Sequence, residues 1–394
     1  MHPGVFYPAT LVGNLPQGRI EVSIERAEMA PERLFTFATR NNPKRAFLFL
    51  SHVLGKHLPV PPALMAEVHE RIAAHIPDLP EPILFVGMAE TATCLGQGVF
   101  EAWLRDHPEK QALFLHTTRY DVAGASSIVF EESHSHAPMQ WLFEPVDPQM
   151  RTRFAAARSL VLVDDEISTG NTFINLARAC RQRAPGIEHV HLAAITDFTG
   201  PERRADLPTT IALPVTFGAL LYGEWRFIPG DGAVSGVESA SSQASAASQV
   251  ADPGFGRLGR TSPLFLDPGT VASLAGRLRP SDRVLLLGTG EFMYPAFVLA
   301  QLLQQSTRAE VVMHATTRSP ILTWGPIRDV MSFPDNYGEG VANYLYNCGE
   351  CRYDHVFLCH ETGVTEGLRE VARRLDAVLL RFHSETHIEE IALR

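Results

Sequence analysis

Residues 161–172 read Val-Leu-Val-Asp-Asp-Glu-Ile-Ser-Thr-Gly-Asn-Thr, so three carboxylates, Asp164, Asp165 and Glu166, come directly after an apolar run. Adjacent like charges at the end of a buried strand are tolerable where hydrogen-bond donors or a cation accept them, and sugar hydroxyls with Mg2+ nearby would do so. Ser168, Thr169, Gly170, Asn171 and Thr172 then form a tight turn opening a helix. Unpaired backbone N–H groups and the positive end of the helix dipole favour a phosphate there. Carboxylates followed by a phosphate seat point to a sugar phosphate.

Short apolar runs must position these groups. In the first part of the chain they are AFLFLS (46–51), ILFVG (83–87), ALFLH (112–116), LVLVD (160–164) and HLAAI (191–195). Continuous rather than alternating apolar character suits strands covered on both faces. The expected fold is α/β, a mostly parallel doubly wound sheet, with ligands outside the carboxyl ends of the strands. After Thr172, Phe173, Leu176, Ala177 and Cys180 recur with the spacing of one buried helical face.

Residues 231–254 are rich in Ser, Ala and Gly and read as a flexible linker. The expected division is a domain over 1–230, a linker over 231–256 and a second domain over 257–394. The second part repeats the pattern of the first: ILFVGMAE then ALFLHTTR, against VLLLGTGE then VVMHATTR, at nearly equal spacings. Two such domains, the second a diverged copy of the first, are expected.

No apolar run approaches the roughly 20 residues that cross a bilayer. The start of the chain also lacks the basic flank and apolar core of a secretory signal, so a cytoplasmic protein is expected. A formal charge of −10 argues against broad nucleic-acid binding. Five cysteines without an export signal do not suggest a disulfide framework. Cys348 and Cys351, with Cys359 and His360 beyond, have spacing that zinc can use, but a lone CxxC is weak evidence and reduced structural cysteines are expected.

An apolar strand, two acidic residues, two variable positions and Thr-Gly resemble the 5-phosphoribosyl-1-pyrophosphate (PRPP) signature of type I phosphoribosyltransferases. By that resemblance Asp164 and Asp165 hold the ribose hydroxyls and Ser168 to Thr172 wrap the 5-phosphate. The family reaction displaces pyrophosphate from the anomeric carbon by a nitrogen nucleophile, with Mg2+ on the pyrophosphate; PRPP holds the metal mainly, with Asp164 or Asp165 available to it. Gly87, Met88, Ala89, Glu90 and Thr91 resemble the pyrophosphate loop, whose backbone N–H groups face the diphosphate. Arg119 is a candidate for the same phosphates. The segment 124–137 stands where the family carries a mobile loop, making Glu131, Glu132, His134 and His136 candidates for proton transfer or pyrophosphate contact. Lys56, His57 and the basic residues of 40–45 could contact phosphate, though exposed charge is the commoner reading.

The chain is also similar to a narrower group found with bacterial tellurium-resistance and stress-response genes, whose C-terminal domain is named for its Thr-Arg-Ser-Pro string, here Thr317 to Pro320. That implies biosynthesis of a nucleoside-like compound, and a homodimer is compatible with the family. The second part departs from the PRPP pattern: Cys359-His360-Glu361-Thr362-Gly363 stand where the acid pair would be, which puts a second PRPP site in doubt. Two other readings remain open: a regulator that binds PRPP without turnover, and a pyrophosphate transferase resembling PRPP synthetases. The first would want a DNA-binding module or basic face, which the sequence does not display. No residue pattern identifies the acceptor.

Overall fold

The computed structural model describes residues 9–40, 45–131, 139–230, 255–349 and 352–392. The expected linker therefore lies almost wholly outside the described residues. The first half runs β1 (Ala9–Leu15), β2 (Gly18–Ala27), α1 (Pro31–Leu34), β3 (Phe35–Thr39), β4 (Phe47–Ser51), α2 (Pro62–Ala73), β5 (Ile83–Gly87), α3 (Ala92–Asp106) and β6 (Ala112–His116). It continues with β7 (Ser127–Glu131), β8 (Met139–Phe143), α4 (Pro148–Ala155), β9 (Ser159–Ile167), α5 (Asn171–Arg183), β10 (His189–Asp197), α6 (Gly200–Ile211) and β11 (Val215–Pro229). The second half has α7 (Pro268–Ala275), β12 (Arg283–Gly288), α8 (Tyr294–Ser306), β13 (Glu310–Ala315), β14 (Val330–Pro334), β15 (Ala342–Tyr346), β16 (His355–His360), α9 (Glu366–Leu375), β17 (Val378–Phe382) and β18 (Ile388–Ile391).

The first sheet has the order β1-β2-β11-β10-β9-β5-β6. Its β11-β10-β9-β5-β6 part is parallel, as the unbroken apolar runs require, and β2 and β1 close one edge in antiparallel sense. Two expectations need correction. AFLFLS does not join this sheet: β4 pairs only with β3, as an antiparallel hairpin whose Phe35 and Phe49 rings pack against Phe198. The segment 124–137 is not wholly a loop, because Ser127–Glu131 pairs with Met139–Phe143.

The second sheet, β13-β12-β16-β17-β18, repeats the order and parallel sense of β6-β5-β9-β10 in its first four strands. Each half also inserts a hairpin, β7-β8 or β14-β15, between its second and third strands in sequence. Alternation along β12, β16 and β17 feeds two cores: Val284, Leu286, Phe357 and Leu380 pack with α7 and α8, whereas Leu285, Leu287, Leu358 and Leu379 pack with α9. Both faces are therefore covered, which is what a doubly wound sheet means.

The halves exchange edge-covering segments. Val60 bonds to Met313 of β13 through both backbone groups, at 2.9 and 2.8 Å, and Arg260 bonds to Phe114 of β6 in the same way, at 2.9 and 2.8 Å. Each outer strand is thereby shielded from pairing with another chain.

Burial holds six histidines uncharged: His57, His69 and His191 are pushed down to about 3, and His116, His314 and His360 to about 4. Once unfolded they take up protons near the ordinary value of 6.5. Their contribution to stability is thus complete above pH 6.5 and falls as pH drops toward 4, by about 1.4 kcal/mol per histidine per pH unit. Thermal unfolding should give a midpoint flat near neutrality and falling steeply below pH 6; an unchanged midpoint at pH 5 would contradict this.

Candidate active site

Strand β9 carries Asp164 and Asp165 beyond the carboxyl end of its neighbour β5, whose last residue Gly87 pairs with Val163. Both side chains are partly exposed. Asp164 Oδ1 accepts the Asp165 N–H at 2.9 Å, and Asp165 Oδ1 accepts the Thr91 hydroxyl at 2.8 Å. The acid pair and the 87–91 loop are thus joined directly. Gly170 has φ 74° and stands at the N-cap of α5, where a Cβ would lie 2.9 Å from Leu207. The glycine cap itself offers no side chain to the first turn, and the Thr169 hydroxyl takes the Asn171 N–H at 3.4 Å; the N–H groups at a helix start favour an anion. Arg203 supports this turn, donating from Nε to Thr169 O and from Nη2 to Asn171 Oδ1, both at 3.0 Å. Thr172 follows as the second residue of α5.

The 87–91 loop differs from its sequence reading in what it can offer. The Met88 N–H is donated to Val163 O and the Ala89 N–H to Thr117 Oγ1. These two donors are consumed inside the protein, so they do not face a diphosphate. Arg119 is partly buried rather than a surface residue, with Nη1 3.6 Å from Glu90 Oε2. Lys56 is likewise neither exposed nor open to phosphate: fully buried, it places Nζ 2.9 Å from Glu90 Oε1 and donates to Gly290 O at 2.6 Å. Burial alone would raise the Glu90 carboxyl, but Lys56 and Arg119 outweigh it and hold the group down to about 2. His57 is buried beside it. Glu132, His134 and His136 lie outside the described residues, as do residues 41–44 of the basic stretch.

Sequence reasoning overlooked the role of Glu166. Arg45 Nη2 donates to both of its oxygens, at 2.8 and 2.9 Å, while the guanidinium lies 4.8 Å from the Phe47 ring and 5.7 Å from Trp225. This pair ties the β3-β4 hairpin to the strand end that carries Asp164 and Asp165. Burial raises the Glu166 carboxyl above the ordinary range despite Arg45.

In the second half the corresponding strand end is closed. Gly288 pairs with Cys359 as Gly87 pairs with Val163, so Glu361 stands where Asp165 does. Arg257 holds both Glu361 oxygens, at 3.0 and 2.9 Å, and Tyr337 donates its hydroxyl at 2.8 Å. Tyr120 of the first half stacks on Tyr337 at 3.8 Å. Cys348 and Cys359 are buried thiols, Cys351 lies outside the described residues, and among the described residues no cluster of His, Cys, Asp and Glu is arranged to hold a metal ion.

Residues 34–224 match the family described as phosphoribosyl transferase, and residues 268–375 match the TRSP domain described as C-terminal to it. Residues 34–224 are a phosphoribosyltransferase domain, followed by a TRSP domain. Among solved structures the enzyme is similar to adenine phosphoribosyltransferase from Rhodothermus marinus, at 17% identity over 48% of this chain and 94% of that one, with a TM-score of 0.30. It is also similar to the Trypanosoma brucei adenine enzyme, crystallised with AMP, pyrophosphate and ribose-5-phosphate, at 14% identity over 48% and 77%, TM-score 0.33. The orotate enzyme of Mycobacterium tuberculosis follows at 12% identity over 47% and 87%, TM-score 0.26. No curated protein matches significantly.

Removing Lys56 would strand the Glu90 charge in a buried setting. Lys56→Met should cost about 3 kcal/mol in urea unfolding. Lys56→Met/Glu90→Gln should recover much of that loss, and equal stability of Lys56→Met and the native enzyme would refute the pairing.

Proposed function

We propose that this phosphoribosyltransferase moves ribose 5-phosphate from PRPP to a nitrogenous acceptor at the first-half site and releases pyrophosphate. The observation that carries the reading is the acid pair at the end of β9, hydrogen-bonded to the 87–91 loop and followed at once by the glycine-capped start of α5. Asp164 and Asp165 accept the ribose hydroxyls; residues 168–172 receive the 5-phosphate; Arg119, beside the 87–91 loop, meets the diphosphate.

As the carbon–oxygen bond to pyrophosphate breaks, positive charge grows on the anomeric carbon and its ring oxygen, and the nearby carboxylates favour that charge. The Arg45–Glu166 pair holds the β3-β4 hairpin to this strand end, next to a centre where water would compete with the nitrogen nucleophile. Mg2+ fits the donors present: partly exposed aspartate oxygens are the hard ligands it prefers, and two carboxylates suit a metal held mainly by substrate phosphates. When bound, it would neutralise the departing pyrophosphate. Resemblance to the tellurium-resistance group supports a nucleoside-like product in stress metabolism.

Incubation with PRPP, Mg2+ and a panel of nucleobases and small amines should release pyrophosphate with at least one acceptor. Asp164→Asn/Asp165→Asn should weaken PRPP binding by at least about tenfold, the loss of roughly one charge-assisted hydrogen bond. Unchanged binding in that variant would remove the site assignment, and binding without turnover across the panel would favour a regulator.

A further inference from the structure

The two halves exchange more than edges. In the first half the Thr117 N–H bonds to Gly87 O, and the Ala89 N–H bonds to Thr117 Oγ1. In the second, the Thr316 N–H bonds to Gly288 O and the Gly290 N–H to Thr316 Oγ1. Each loop is thereby stitched to its own Thr-Thr-Arg turn. The glutamate ending each loop then crosses to the other half. Glu90 Oε1 accepts the Arg318 N–H at 3.2 Å, and Glu291 Oε1 accepts the Arg119 N–H at 2.8 Å. Glu291 Oε2 also accepts the Thr118 hydroxyl at 2.5 Å, and its backbone carbonyl accepts the Thr93 hydroxyl at 3.1 Å.

The exchange is reciprocal, but its two products differ. The second half has given up its open acid pair, since Glu361 is occupied by Arg257 and Tyr337. It nevertheless keeps a buried carboxylate seated on the turn that presents Arg119. Beyond its contact with Arg257 at 3.4 Å, Glu291 fixes the backbone of residues 118–119, from which the Arg119 side chain extends toward the 87–91 loop.

We propose that Glu291 is a positioning residue for the diphosphate side of the first-half site, so that the TRSP domain serves the reaction by aligning Arg119 rather than by binding a substrate of its own. This rests on the reading of Arg119 and the 87–91 loop as the diphosphate side. A backbone hydrogen bond to a buried carboxylate fixes where the guanidinium starts, and a displacement of about 1 Å in a positioned group is enough to cost a large factor in rate.

Calorimetric binding of inorganic pyrophosphate and of ribose 5-phosphate, measured separately on the full chain, separates this role from general loosening. Glu291→Ala should weaken pyrophosphate about tenfold while ribose 5-phosphate binds as before, because the lost bonds are charge-assisted and lie on one side of the site. Glu291→Gln retains the size and one acceptor oxygen; it should fall between the two and serves if the alanine variant does not fold. Equal loss of both ligands, or no loss of either, in a folded variant overturns the proposal. Native enzyme that binds neither pyrophosphate nor PRPP overturns the underlying function instead.

Discussion

Buried charge at the joint between the two sheets is the constraint on which the rest of this molecule depends. Lys56 and Glu90, and Arg257 with Glu361 and Glu291, are withdrawn from water where the halves meet. Each ion loses several kcal/mol of hydration, and that loss is offset only when geometry is good and the remaining hydrogen-bonding capacity is filled. Neither half can meet that condition alone: Glu90 lies on the 87–91 loop, whereas the Gly290 carbonyl and the Met293 sulfur, which also accept from Lys56, come from the second half. Arg257 likewise bonds within its own half to Glu361 while crossing beneath the first half's Thr118, whose hydroxyl oxygen lies 3.3 Å from its Nε. The halves are therefore mutually obligatory in electrostatic terms, and apolar packing of Val60, Met65 and Cys94 with Phe292, Met293 and Phe297 adds to the same joint.

That constraint explains the asymmetry between two strand ends of like topology. On β9, Asp164 and Asp165 remain partly exposed, and Asp165 accepts the Thr91 hydroxyl. On β16, His360 is buried with Nδ1 on Thr362 O, and Glu361 is consumed by a guanidinium. A carboxylate satisfied by a bidentate arginine has little left to offer sugar hydroxyls. One end keeps its carboxylates partly exposed and the other is spent on cohesion.

Much of the site was legible in the sequence because its elements are local. The run from Val161 to Thr172 contains strand end, acid pair, turn and helix start in consecutive residues, so pattern alone gave these local elements. The parallel strands were visible for the same reason, as unbroken apolar runs. What escaped depends on distant partners. Lys56 looked like an exposed cation, and nothing local shows that its carboxylate lies at Glu90 and its carbonyl at Gly290. AFLFLS is as apolar as any core strand, yet it pairs with β3 as a separate hairpin and packs its rings against Phe198 and against Trp225 of β11 instead of joining the sheet. The repeated Gly-x-x-Glu and Thr-Thr-Arg strings were apparent, but their crossing was not, because periodicity reports equivalence and not contact.

The crossing itself has a structural logic. When two copies of one topology face each other, a polar group at a given position meets the region around its own equivalent, so a glutamate that suits one turn suits the other. Glu90 on the Arg318 N–H and Glu291 on the Arg119 N–H follow that rule, as do Val60 on Met313 and Arg260 on Phe114. Joining the copies in one chain frees each from the requirement to be identical. A mutation that closed the second strand end with Arg257 and Tyr337 could then strengthen the joint while leaving Asp164 and Asp165 untouched, an option closed to a symmetric pair of identical chains.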